Sequence, residues 1–182
     1  MERLQDFIKV VNTLSMDEFV EQFPHAFFFY SKVPGVIDAF VHTRLVDQKP
    51  GAETIDRFSE QILDFIPLLP NPHRNKDFPK KAFVGRDERR DYVIAHTTVS
   101  NRHACLMYKA EDDSYLLVDS GSTNGTMVRG RALVPGEPVA VHDGDVITFG
   151  RLDFMFFSPR GAYRYMNQYW LFTEAMQAKK PG

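Results

Sequence analysis

Val84-Gly85-Arg86, Thr98-Val99-Ser100-Asn101-Arg102-His103-Ala104, Gly121-Ser122-Thr123-Asn124-Gly125-Thr126 and Asp143-Gly144-Asp145-Val146-Ile147-Thr148-Phe149-Gly150 are four clusters built alike. Each lies where a short apolar stretch gives way to turn residues. Each supplies groups suited to anions: a guanidinium, hydroxyls, a side-chain amide, or backbone N–H groups exposed by glycine. Short polar loops gathered at one end of a β-sandwich form a surface for recognition, not a catalytic cleft.

Around these clusters the chain alternates strands and turns. Strands are expected at 82–84, 92–94, 104–109, 115–119, 126–128, 139–141, 146–149 and 153–157. The turns recur roughly every 8–12 residues, as in an antiparallel sandwich. Asp112-Asp113-Ser114 and Val128-Arg129-Gly130-Arg131 read as hairpin tips.

The first third has a different period. Leu4, Phe7, Ile8, Val11 and Leu14 repeat as on one face of a helix. Ser15-Met16-Asp17-Glu18 has the form of a capping box, which starts a fresh helix at Met16 running to about Phe23, before Pro24. The aromatic run from Ala26 to Val33 is read as a strand, and 35–46 fits helix or strand. Ile55, Phe58, Ile62, Phe65 and Ile66 form a helical stripe that Pro67 ends, and 70–75 reads as a linker. Past Pro159-Arg160-Gly161, Tyr165, Tyr169, Phe172 and Met176 return to helical spacing. The division expected is a helical extension at 1–75, a sandwich at 76–158, and a helix with a tail at 159–182. The extension is read either as a cap packed on the sandwich or as a partner surface built from Phe27, Phe28 and Phe29.

Composition bounds the function. With 182 residues, 43% of them hydrophobic, one good core can be buried. Lys+Arg 22 against Asp+Glu 24 leaves a net charge of -2, which argues against nucleic-acid binding through a broad basic field. A single cysteine, Cys105, excludes an intramolecular disulfide and a multi-cysteine metal site. The six histidines lack metal-type pairing, so neither metal nor cofactor is expected. No apolar run approaches the ~20 residues that span a bilayer, and Met1 to Leu14 is unlike a secretory signal. The expectation is a soluble cytoplasmic protein without membrane contacts.

A phosphate monoester carries about -1.5 to -2 charge and three strong acceptor oxygens. Holding one takes a charge-assisted donor, preferably the planar arginine fork, together with neutral donors. Arg86, Ser100 and Thr123 supply these, and the backbone N–H groups of Asn101 and Arg102 can add more. Asn124, both donor and acceptor, suits the alternating C=O and N–H groups of an extended peptide. Gly85, Gly121 and Gly125 allow tight turning or close approach. An enzymatic alternative, a Ser100/His103 hydrolase oriented by Asp119, lacks a nucleophile elbow, and a histidine three residues along a turn is poorly placed as a base.

In order and spacing, Gly85-Arg86, Ser100-x-x-His103, Ser122-Thr123-Asn124-Gly125-Thr126 and Asp143-Gly144-Asp145 through Phe149-Gly150 resemble the forkhead-associated (FHA) domain. The resemblance covers roughly 78–157, and the flanks look like stand-alone bacterial members. It implies a mainly β fold: an antiparallel sandwich of about eleven strands, here with an N-terminal helical extension and a C-terminal helix. It further implies phosphothreonine-peptide binding without catalytic activity, in bacterial Ser/Thr-kinase signalling, with a phosphorylated protein or kinase as partner. Carried over by position, Arg86 and Ser100 contact the phosphate, Asn101 and Thr123 assist, and Asn124 holds the peptide backbone. Arg102 adds attraction for acidic flanks, while Gly85, His103 and Gly125 support the loops. In the family the threonine methyl group fills a small apolar notch. Thr98 is uncharged, so that position announces no fixed acidic preference. A phosphate-independent scaffold using the helices and sandwich faces is the other function weighed.

Overall fold

Side chains along a strand alternate between its two faces, and β-branched and aromatic residues fit that pleat. In the computed structural model, which describes residues 8, 11–31, 65–68, 70–71 and 75–167, this pattern produces eleven strands. They are β1 (Phe27–Ser31), β2 (Phe65–Leu68), β3 (Lys81–Gly85), β4 (Tyr92–Val93), β5 (Ala104–Lys109), β6 (Ser114–Asp119), β7 (Thr126–Val128), β8 (Arg131–Ala132), β9 (Pro138–Val141), β10 (Val146–Phe149) and β11 (Leu152–Phe157). One sheet has the order β2-β1-β11-β10-β7-β8 and the other β4-β3-β5-β6-β9. Every pairing is antiparallel except β3 with β4, which runs parallel.

Three consecutive phenylalanines explain the layering. Phe28 points between the sheets and meets Tyr92, Phe149 and Phe156. Its neighbours Phe27 and Phe29 point the other way, into a second cluster with Ile8, Val11, Phe19, Met155, Phe157, Tyr165 and Met166. β11 repeats the pattern in register, Phe28 opposite Phe156, Phe27 opposite Phe157 and Phe29 opposite Met155. At β1 and β11 the six-stranded sheet is therefore buried on both faces. Helices cover the outer one: α1 (Met16–Gln22) and α2, the helical stretch 159–167. Each fully buried phenylalanine contributes about 2–3 kcal/mol of transfer free energy.

Both helices start on side-chain caps. Ser15 and Glu18 form the expected reciprocal capping box, whose bonds hold the Glu18 carboxyl below its usual pKa. At α2, the Ser158 hydroxyl accepts from Gly161 N–H at 3.0 Å, and Ser158 N–H donates to Asp143 at 2.6 Å. The segments that flank the sandwich meet where Tyr163 O–H donates to the Leu14 carbonyl at 3.0 Å.

The structure departs from the sequence-based expectations in three places. Phe65 and Ile66 are not helical but begin β2, paired with β1 at Ser31 and Tyr30. β2 stands at the end of the sheet order, and edge strands tolerate proline because they pair on one side only. Val128-Arg129-Gly130-Arg131 is the hairpin tip expected, with Val128 opposite Arg131, but it leads into a short strand, β8, that the sequence reading did not include. The tip itself is Arg129-Gly130, both at positive φ, the geometry of a two-residue hairpin turn. Phe27, Phe28 and Phe29 are fully buried, so they offer no surface to a partner. The readings placed on 35–46, 55–62 and 169–176 lie outside the described residues, as does most of the helix read from Leu4 to Leu14, of which Ile8 and Val11 are helical and buried.

Candidate functional site

The loops after β3, β4, β6 and β10 converge at one end of the sandwich, and hydrogen bonds between loops fix where each side chain stands. Gly85 ends β3 against the next loop, where a Cβ would overlap the Asn101 carbonyl oxygen. Only glycine permits that approach. Arg86 N–H then donates to the Ser100 carbonyl at 2.9 Å, which sets the arginine beside the serine. The Arg86 side chain is exposed, with no ion-pair partner among the described residues.

Ser100 is half-buried and faces Thr123. Its Oγ accepts from Thr123 N–H at 3.0 Å and donates to Thr123 Oγ1 at 3.3 Å. The second contact is long for a hydroxyl pair, so either hydroxyl can turn to an incoming anion at little cost. The backbone N–H groups of Asn101 and Arg102 meet no acceptor among the described residues, and both side chains are exposed. Asn124 uses one amide hydrogen on the Thr98 carbonyl at 2.8 Å. Its other N–H and its side-chain oxygen remain for a ligand.

His103 and Asp119 hold the loops from below. His103 is fully buried; its Nδ1 accepts from Ser100 N–H at 3.0 Å and its Nε2–H donates to the Gly125 carbonyl at 3.1 Å. Both contacts require the neutral ring protonated at Nε2. Burial lowers its pKa, offset in part by the Gly125 bond and by Asp119. The aromatic edge of Phe149 meets the ring at 5.6 Å.

Asp119, equally buried, accepts from Gly121 N–H at 2.8 Å, Ser122 N–H at 2.9 Å, Ser122 Oγ at 2.6 Å and Thr126 Oγ1 at 2.5 Å. Burial opposes its ionisation, yet these bonds win and hold the carboxyl below its usual pKa. One carboxylate thus shapes the turn that carries Thr123 and Asn124. Gly125, at φ +78, completes that turn.

The nine residues singled out in the sequence therefore lie in adjoining loops linked by hydrogen bonds. Sequence reasoning gave Asp119 a catalytic option and missed its role in shaping the turn. Its four contacts lie within seven residues, and Asp-x-Gly-Ser followed by Thr126 is the signal that could have revealed it. Thr98, Gly150 and Arg151 were also missed as a junction. A Cβ on Gly150 would overlap the Thr98 carbonyl, and Arg151 N–H donates to Thr98 Oγ1 at 3.3 Å. No local pattern announces a contact across 53 residues. Among the described residues there is no cluster of metal-ligating side chains and no helix long and apolar enough to cross a membrane.

Residues 82–150 match the FHA domain family. No curated protein sequence matches the chain. Among solved structures, Mycobacterium tuberculosis EmbR in complex with a low-affinity phosphopeptide is 26% identical over 43% of this chain, with a TM-score of 0.39. The match spans only 20% of the EmbR chain. The N-terminal FHA domain of S. cerevisiae Rad53p, in complex with a phosphothreonine peptide, is 28% identical over 47% of this chain and 73% of its own, with a TM-score of 0.42. The FHA domain of CT664 from Chlamydia trachomatis covers 73% of this chain and 97% of its own at 19% identity, with a TM-score of 0.44. Residues 82–150, with the four loop clusters they contain, are a forkhead-associated domain.

Proposed function

We propose that this protein is a phosphothreonine-peptide-binding adaptor in bacterial Ser/Thr-kinase signalling, and that it recruits a phosphorylated protein or kinase. The observation that carries this reading is the pair of cross-loop links at Ser100. Its carbonyl takes the Arg86 N–H, and its hydroxyl takes the Thr123 N–H. One guanidinium and two hydroxyls are thereby set on adjoining rims, with the free N–H groups of Asn101 and Arg102 beside them. A dianionic ester placed there finds one charge-assisted contact and several neutral donors. Asn124 then engages the main chain of the peptide, and Gly85, His103 and Gly125 keep the loops in place.

The hydrolase alternative has little support in this geometry. Both His103 nitrogens are engaged by main-chain groups, Ser100 N–H and the Gly125 carbonyl, and neither serves the Ser100 hydroxyl. The Asp119 carboxylate serves its own loop. A scaffold working through the N-terminal helices is equally disfavoured, since the apolar side chains of Ile8, Val11 and Phe19 are buried on the sandwich.

The test is isothermal titration calorimetry with a phosphothreonine peptide library, its phosphoserine counterpart and unphosphorylated controls. Binding is expected near micromolar, about -8 kcal/mol, and to vanish without the phosphate. Arg86→Ala removes the charge-assisted contact and weakens binding by about 2 kcal/mol or more. Undiminished binding by Arg86→Ala would defeat the proposal.

A further inference from the structure

The segment between β4 and Ser100 is a turn that begins on a histidine. His96 N–H donates to the Ile94 carbonyl at 2.8 Å, and Val99 N–H donates to the His96 carbonyl at 3.0 Å. The ring folds back on the same turn. Its Nδ1 accepts from Thr98 N–H at 3.3 Å and lies 2.8 Å from Thr98 Oγ1. A bond from a side chain to the N–H two residues on is ordinarily made by aspartate or asparagine, which shape turns in this way. Here an imidazole makes it, and an imidazole changes charge between about pH 5 and 8.

The ring's protonation follows from its partners. Arg151 N–H donates to Thr98 Oγ1 at 3.3 Å, so that hydroxyl accepts from Arg151 and is free to donate to Nδ1. A ring nitrogen that accepts carries no proton, so the ring that satisfies all three contacts is neutral and protonated at Nε2. A proton added at Nδ1 turns that nitrogen into a donor. The Thr98 hydroxyl can rotate to accept it, but Thr98 N–H cannot and is left facing another donor. Residue 98 cannot turn by itself. Its carbonyl holds Asn124 Nδ2 at 2.8 Å and abuts Gly150, where a Cβ would overlap it.

Nothing beside the ring offsets that loss. The segment 120–126, which carries Asn124, has no charged side chain. The β10–β11 turn brings Arg151, and the end of β3, whose Gly85 carbonyl takes Ile94 N–H, brings Arg86. Beneath the loops, His103 and Asp119 are engaged by their own partners. No carboxylate lies within ion-pair distance of His96 among the described residues.

We infer that His96 is a positioning residue: its neutral ring sets Thr98, and the Thr98 carbonyl sets Asn124, so that the grip on the peptide main chain loosens when the ring takes up a proton. This rests on the phosphothreonine reading above and adds to it a control of the same site by pH.

The experiment pairs fluorescence anisotropy with a phosphothreonine peptide and NMR of the full chain, from about pH 8 to about pH 5.5. The phosphate itself gains a proton at about pH 6, so each affinity is divided by that of His96→Asn at the same pH, which cancels the ligand's own titration. The ratio is expected to fall about three- to tenfold in acid, the worth of one neutral hydrogen bond. His96→Ala should weaken binding across the whole range. His96→Asn, whose side-chain oxygen can take the same Thr98 N–H without titrating, should restore part of it and remove the fall. His142→Gln, at an exposed histidine with no bond to Thr98 or Asn124, should leave the fall intact. In the free protein the Asn124 side-chain amide should shift with the midpoint of the His96 ring, and lose that shift in His96→Asn. A ratio that does not fall, or an Asn124 amide that ignores the His96 midpoint, although phosphothreonine binding is intact, overturns the inference alone. Equal binding of phosphorylated and unphosphorylated peptides overturns the adaptor reading and this inference with it.

Discussion

The loop end and the helix-covered face of the six-stranded sheet are held together by different forces. At the loop end the links are hydrogen bonds, several of them between a side chain and the main chain of another loop, as at Ser100, His103 and Asn124. On the covered face the links are apolar. Phe19, Phe27, Phe29, Phe157 and Tyr165 stack or tilt against one another at centroid separations of 4.7 to 6.0 Å. Hydrogen bonds are directional and fix donors where a ligand needs them. Apolar burial is non-directional and scales with area, so it supplies most of the stability. Stability and recognition should therefore respond to different mutations.

The largest effect expected follows from removing a ring on the covered face. Phe29→Ala leaves a cavity between β1, Phe157 and Tyr165 and should cost about 3–5 kcal/mol in chemical denaturation. Below the melting transition, peptide affinity should stay within about twofold of wild type, since Phe29 touches none of the four loops. A Phe29→Ala protein that keeps its stability would break the division of labour. One that folds but loses peptide binding would show that the covered face sets the loops.

The same contrast governs what could be read from the sequence. The sandwich was legible because its strands alternate cleanly; β6, for example, buries Tyr115, Leu117 and Asp119 and leaves Ser114, Leu116 and Val118 partly exposed. The loop clusters were legible because glycine, asparagine and serine mark turns by local chemistry. The place of the N-terminal third in the sheet was not. Phe65 and Ile66 complete a helical stripe in sequence, and only pairing with β1, more than thirty residues earlier, makes them a strand. Tertiary pairing overrides local period in such short segments. Arg151 escaped notice for the same reason.

Two buried histidines, one in each region, give a pH test of intermediate size. Burial lowers the pKa of both His25, set among Phe23, Phe27 and Phe78, and His103. The unfolded chain binds these protons near pH 6.5, whereas the folded chain resists them to lower pH. Their stabilising contribution is thus complete above about 6.5 and is lost as pH falls toward the folded values. In an NMR titration both rings should titrate below about 6.5. The Ser100 amide should shift together with His103, because a proton on Nδ1 would face the Ser100 N–H. A Ser100 amide that follows His25, or does not move, would break the assignment of His103 to the loops.

The smallest effect concerns the one described ion pair between the terminal helices, Arg160 with Asp17 at 3.3 Å. It sits at the edge of the same aromatic cluster, so proximity alone would suggest that it fastens α2 to α1. The Asp17 side chain is 86% exposed and that of Arg160 48%, so water and salt screen the attraction, and holding two long side chains costs entropy. The fastening is left to Phe19, which meets Phe27 and Tyr163 and is fully buried. Asp17→Ala should accordingly leave the melting temperature within about 1 °C of wild type, as for most exposed pairs, whereas Phe19→Ala lowers it by many degrees. A clear loss of stability in Asp17→Ala would mean that charge helps to hold the covered face, and the separation between a polar end that recognises and an apolar face that stabilises would no longer stand.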